Sequence, residues 1–320
     1  TSMTTLTLRS IDLRHDYVLM THELLAAGYD DRDITRMVRS GGLHRLRHGA
    51  YTFGQHWREL DDAGRRKLVA HATLRSARSP AALAGPSAAD LFGVPVWDMG
   101  DTTHLVRLDH RANRRTCDRA QHRGSVLVED LTVRDGVPLT SGTRTALDMI
   151  AIGDVPHALV TVNGLLHAGE TTLEQLQRRA AGMQHDPHTG NRGIVLTLAD
   201  PRPESAGESL IVHLCWAQGL PMPIPQFEIR DSEGRLIGRV DFAWPELGVF
   251  LEFDGRLKYE RYRRPGESVA DAVLREKQRE DAVREATGWR CIRTVWADLF
   301  RPERTSARIR SAFAARWSAA

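Results

Sequence analysis

Apolar positions change period several times along this 320-residue chain. Val18, Leu19, Leu24 and Leu25 predict a helix over 15–27, with Thr21 as its N-cap candidate and Gly28 as its stop. A short second helix follows, capped by Asp30 or Asp31, with Ile34, Met37 and Val38 on one face and Gly41-Gly42 at its end. Leu43 and Leu46, then Tyr51 and Phe53, flank a His48-Gly49 turn and predict a β-hairpin. Helix, helix and basic hairpin in this order predict a small winged helix-turn-helix over 1–60.

Residues 61–203 mix the two periods and predict an α+β domain. Helices are expected over 64–78, from Pro86 to Leu91, and over 143–152 and 155–168; strands over 103–108 and 125–133. A polar loop over 182–193 precedes a boundary at Pro201-Arg-Pro203. From 204 to 320 the order is clearest: helix 205–218, strands 226–230, 236–243 and 248–254, a polar loop, helix 269–287, strand 289–295 and helix 299–317. The third strand is apolar on both faces and therefore central. The whole is expected to be an α+β or α/β multidomain protein whose last part runs αβββαβ.

No apolar run approaches a membrane-spanning length, so no membrane partner is expected. Thr1 and Ser2 precede Met3, and the following residues lack the apolar core of a signal peptide, so a cytoplasmic location is expected. The net charge of +3 is too mild to identify a nucleic-acid partner by itself. Cys117, Cys215 and Cys291 are far apart and form no C-x-x-C pair, which argues against a disulfide framework or structural zinc. His185-x-x-His188 is a weak metal motif in a Gly/Pro-rich loop. Lys and Arg total 44, yet only Lys67, Lys258 and Lys277 are lysines, and two of these flank an acidic cluster.

That cluster carries the candidate chemistry. Glu252 and Asp254 are two apart on one strand and point to one face. Asp241 lies on the preceding strand, and sequential strands usually pair. Glu208 lies early on the first helix, where it can pack over the sheet. Carboxylates brought together are unstable if all are ionised and unpaired. A divalent ion, Mg²⁺ or Mn²⁺, held among such carboxylates would resolve the conflict and polarise a phosphate. Lys258 and Lys277 are the candidate positive donors, a lysine being a compact donor with an adjustable pKa. The plainer alternative pairs Asp241 and Glu252 with arginines such as Arg239 and Arg279 as ordinary ion pairs.

The αβββαβ order with Glu208, Asp241 and Glu252 in place resembles the PD-(D/E)XK, or restriction-endonuclease-like, core. LEFDGRLKY, followed by REKQREDAVREATGWRCIRTVWADL, is similar to a bacterial domain grouped with Vsr-like endonucleases. Over about 110 residues the resemblance implies metal-binding carboxylates at Asp241 and Glu252, with Glu208 in support. The lysine usual two positions after the acid is Asp254 here, so Lys258 or Lys277 would replace it.

THELLAAGYDDRDITRMVRSGGLHRLRHGAYTFG resembles the winged helix of AbiEi-type antitoxins, and GPSAADLFGVPVW with DGVPLTSGTRTALDMI resembles the segment that follows it there. In such a module the second helix enters the major groove. Arg32, Arg36 and Arg39 on that helix, and Arg45, Arg47 and His48 on the hairpin, are then the DNA-contacting candidates. Two functions follow as expectations: a Mg²⁺-dependent endonuclease acting on double-stranded DNA in defence or repair, or a non-enzymatic, antitoxin-like regulator with an inactive nuclease fold. A toxin protein and a second copy of the chain are the further expected partners.

Overall fold

The computed structural model describes residues 17–109, 114–115, 119–122, 126–183, 190–255 and 269–317. These form a mixed α+β protein with three sheets. The chain divides into two compact units: the described residues of Thr1–Ile152 with Glu170–Thr189, and those of Gly153–Gly169 with Gly190–Ala320. This differs from the sequence-based division at residues 60 and 203, and the packing of individual helices explains why.

The first unit opens with β1 (Leu19–Met20), α1 (Thr21–Ala26), α2 (Asp31–Arg39), β2 (Leu43–Arg47) and β3 (Ala50–Phe53). The helix expected over 15–27 begins only at Thr21. Leu19 and Met20 instead pair with Tyr51 and Ala50 and complete an antiparallel sheet of order β1-β3-β2. Pairing with the hairpin wins over the helical spacing of Val18 and Leu19. Helix α2 is capped by Asp30, whose carboxylate accepts the Asp33 N–H at 2.7 Å while Asp33 accepts the Asp30 N–H at 3.2 Å. The hairpin turns at Gly49, whose φ of +76° a side chain rarely tolerates.

Helices α3 (Gly54–Glu59) and α4 (Asp62–Arg75) follow. Helix α4 is buried on two sides. Leu68 and Ala72 pack with Val18, Met20 and Ala50, whereas Ala70 packs with Leu83, Leu105 and Leu139 of a larger sheet. One helix therefore serves both sheets.

The larger sheet holds β4 (Ala81–Leu83), β5 (Thr103–Arg107), β6 (Arg114–Arg115), β7 (Arg119–His122), β8 (Leu131–Arg134) and β9 (Val137–Thr140), in the order β6-β7-β5-β4-β9-β8. Helix α5 (Gly85–Phe92) lies between β4 and β5 in the chain, and α6 (Gly142–Ile152) follows β9. The strand expected over 125–133 is shorter. A 3-10 turn occupies Val128–Asp130, and the strand forms a hairpin with β9 across Asp135-Gly136, both at positive φ. Helix α7 (Val155–His167) belongs to the second unit, and the chain returns to the first with α8 (Leu173–Ala181). Asp130, 2% exposed, ties α8 to α6 within the first unit. It accepts from Arg179 at 2.8 and 2.7 Å and from Arg144 at 3.2 Å, and Arg144 also reaches Asp148 at 2.7 Å.

The second unit continues with α9 (Arg192–Leu198) and α10 (Ala206–Ala217). Then come β10 (Ile224–Arg230), β11 (Leu236–Trp244), β12 (Val249–Asp254), α11 (Val269–Thr287), β13 (Arg290–Val295), α12 (Trp296–Leu299) and α13 (Pro302–Trp317). The expected αβββαβ order is present. The sheet runs β10-β11-β12-β13, antiparallel except for β12 with β13, which are parallel. A parallel pair needs a crossover, and α11 lies within it. Phe250, Leu251 and Phe253 of β12 are at most 2% exposed, as a central strand requires. The single last helix expected over 299–317 is two, because Pro302 disfavours a helical residue before it. Helix α10 lies flat on the sheet at Gly207, where an added Cβ would stand 2.0 Å from Cε1 of Phe253. Among the described residues, no helix is long and apolar enough to cross a membrane.

Candidate functional site

Asp241 and Glu252 are both buried, each 8% exposed. The β11–β12 ladder runs from Trp244↔Val249 to Phe242↔Leu251. Continuing that register one step sets Asp241 beside Glu252 on the same face of the sheet. The Asp241 carboxylate accepts the backbone N–H of Phe253 at 2.7 Å through Oδ2. That bond orients the carboxylate at the point where the ladder opens. Asp254, half-buried, lies two residues beyond Glu252 on that face.

Among the described residues, an arginine reaches Glu252 of this pair. Arg279 on α11 donates from Nη2 to Glu252 Oε1 at 3.2 Å and from Nη1 to the backbone carbonyl of Arg239. The pairing with Arg279 is the one named in the plainer alternative; Arg239 turns away to Glu204 at 2.7 Å. Lys258 lies outside the described residues, as does the side chain of Lys277.

Arg293, the register partner of Glu252 on β13, engages Glu280 of α11, which also holds Arg284 at 2.7 Å. Burial opposes ionisation of Glu280, but Arg293 and Arg284 outweigh it and hold the carboxyl below its ordinary value. Cys291 is the opposite case. Burial, reinforced by the charges of Glu280 and Glu252, pushes its thiol up to about 12, which makes it a poor nucleophile.

Glu208 is 1% exposed. Its Oε1 accepts from the Ser205 hydroxyl at 2.7 Å, and its Oε2 from the Glu204 N–H at 2.9 Å and Gln226 Nε2 at 2.8 Å. Ser205 caps α10 by accepting the Glu208 N–H. The S-x-x-E spacing of a helix start was the sequence signal for this role, and it was missed. Gln226 was missed too. It has φ of +51°, interrupts β10 between Pro225↔Phe242 and Phe227↔Val240, and so stands next to Asp241 in the sheet. A non-glycine residue held in this conformation is strained, and such strain gathers at functional sites.

Two carboxylates suit a hard divalent ion by donor type. Among the described residues, no group of three His, Cys, Asp or Glu side chains could hold a metal. Mg²⁺ needs only one or two protein carboxylates, because water and substrate phosphate fill its other positions. Asp241 and Glu252 meet that smaller requirement.

In the first unit, Arg32, Arg36 and Arg39 are exposed on α2, opposite the buried Ile34 and Met37. Arg36 pairs with Asp33. On the hairpin, Arg45 and His48 are exposed and 3.0 Å apart, Nη2 to Nδ1, while Arg47 is half-buried. The His185-x-x-His188 motif lies outside the described residues.

No known family model matches the chain. Two proteins of Mycobacterium tuberculosis, the uncharacterized proteins MT2308 and Rv2248, are each 30% identical to it over 282 residues, spanning 85% of this chain and 93% of theirs. The chain thus belongs to the same family as these uncharacterized mycobacterial proteins.

Proposed function

We propose that this is a DNA-binding protein whose second unit is a restriction-endonuclease-like domain hydrolysing phosphodiester bonds with Mg²⁺ or Mn²⁺. The observation that carries the proposal is the placing of Asp241 and Glu252 side by side on adjacent strands of an αβββαβ unit. The parallel β12–β13 pair at one end of an otherwise antiparallel sheet supports it. In the first unit, two helices followed by a hairpin support a winged helix-turn-helix, with α2 as the groove-reading helix.

Asp241 and Glu252 would hold the ion, and a bound divalent ion supplies charge neutralisation at phosphate and a more acidic water. The chain's own residues do the rest. The Phe253 N–H fixes the Asp241 carboxylate, and Gln226 and Ser205 fix Glu208 behind it. Arg279 neutralises Glu252 and stands ready to donate to a phosphate oxygen, a task guanidinium suits by its fork geometry.

The full chain incubated with plasmid DNA and Mg²⁺ or Mn²⁺ tests the proposal. Nicking or linearisation by wild type, lost in Asp241→Ala and Glu252→Ala, is the expected result. Equal behaviour of wild type and both variants refutes it.

A second proposal, an antitoxin-like regulator with an inactive nuclease fold, has its own support. Glu252 already carries a counter-charge, and both oxygens of Glu208 are hydrogen-bonded. It predicts salt-dependent duplex binding with no cleavage in any divalent ion.

A further inference from the structure

We infer that the cleft between the free edge of β13 and helix α13 binds the phosphate backbone of duplex DNA. Among the described residues, strand β13 ends the sheet and has a strand partner on one side only. Facing it across a cleft of about 450 Å³ is α13, and Arg290 and Arg293 line one wall, Arg308 and Ser311 the other. Arg308 is fixed over this edge, donating from Nη2 to the Arg293 carbonyl and to Asp298, both at 3.0 Å. That contact covers part of the strand edge and makes strand addition by a peptide the poorer fit.

Charge selects the occupant. Arg304, Arg308 and Ser311 recur at i, i+4 and i+7 and so share a face of α13, and Arg301 directly precedes the helix. Arg290, Arg293, Arg301, Arg304 and Arg308 are all exposed. Glu280 matches Arg293, and Asp298 matches Arg308. Arg290, Arg301 and Arg304 have no carboxylate partner among the described residues. Helix α13 itself carries four arginines against one acid, Glu303. Guanidinium groups on both walls, strung along more than one helical turn, suit a repeating anion better than a single one.

The identity of that polyanion rests on the proposed function. Its position strengthens the link: Arg293 is the register partner of Glu252, one strand spacing of about 4.8 Å away. A phosphate strand in the cleft would pass alongside the carboxylate pair.

The test is anisotropy of a short fluorescent duplex titrated with the full chain in EDTA, at several salt concentrations. Wild type is compared with Arg290→Gln/Arg304→Gln, whose two side chains hold nothing else in place. The expected result is a loss of about tenfold in affinity and a fall of about 2 in the magnitude of the negative slope of log K against log salt, from about 0.9 per phosphate contact. Matching affinity and slope would overturn the inference, as would wild type binding polyglutamate as tightly as duplex. Cleavage is assayed in parallel with Mg²⁺. Wild type that binds through these arginines but never cuts keeps the cleft and removes the nuclease proposal; a cutting enzyme whose variant binds normally does the reverse.

Discussion

Arg279 bridges two strands by donating to Glu252 on β12 and to the backbone carbonyl of Arg239 on β11. The carboxylate is buried, so its stability depends on that guanidinium. Arg279→Gln is expected to destabilise the protein by about 2 kcal/mol, below the ~3–5 of a fully buried pair because the Arg279 side chain is 32% exposed. Adding Glu252→Gln should recover most of the loss. Denaturant melts of the three variants read the cycle. If Glu252 holds a cation, Mn²⁺ should raise the melting temperature of the single variant and leave the double variant unmoved.

Gln226 sits at positive φ and donates to the buried Glu208. Gln226→Leu keeps the strain and removes the donor, and should cost about 2 kcal/mol. Gln226→Gly also removes the donor but relieves strain of about 1 kcal/mol, so it should cost less. Urea unfolding of both variants checks the order; a glycine variant less stable than the leucine variant would show that the conformation is not strained.

Gly207 leaves no space for a methyl group against Phe253. Gly207→Ala should lose about 2 kcal/mol by overpacking. Combining it with Phe253→Leu should cost less than the sum of the two single changes. Strict additivity in thermal melts would mean that the two residues do not press on each other.

Asp130 gives a pH test. Burial opposes its ionisation, but Arg179, the Leu127 N–H and Arg144 outweigh it and hold the carboxyl below the ordinary value of 3.8. A lowered folded pKa contributes stability that is present above the unfolded pKa and lost as pH falls through the folded one. Asp130→Asn leaves Arg144 facing Asp148 alone and should cost about 3 kcal/mol at pH 7. The gap between wild type and variant should close as pH drops below about 4. A gap as large at pH 2.5 as at pH 7 in circular-dichroism melts contradicts the charge-based account.

The second unit was legible because its period changes are sharp. Helix 269–287 matches α11 at both ends, and the doubly apolar VFLEF run marks the central strand. The first unit was harder. Strands β4, β6 and β7 are two to four residues long, too short to show alternation. Strand β9 was missed although Asp135-Gly136 carries a hairpin signal. At the site, residue types pointed to Asp241 and Glu252 because alternation and strand pairing are local rules. The role of Arg279 was not legible as a choice over Arg239. Which of these two arginines reaches Glu252 depends on how α11 packs against the sheet, and no local pattern encodes that packing.

The chain passes from the first unit into the second at α7, back again for α8, and then out for good. Synthesis therefore meets a scheduling problem. Helix α7, with Leu159, Val162 and Leu165 fully buried, emerges before its neighbour α10, to which it is joined by Asn163 and Ser209 at 3.1 Å. Nearly forty residues must leave the ribosome while that apolar helix waits, and a fragment beginning at residue 204 would lack it altogether. Such a fragment should aggregate, whereas one beginning before Val155 keeps the helix beside its partner.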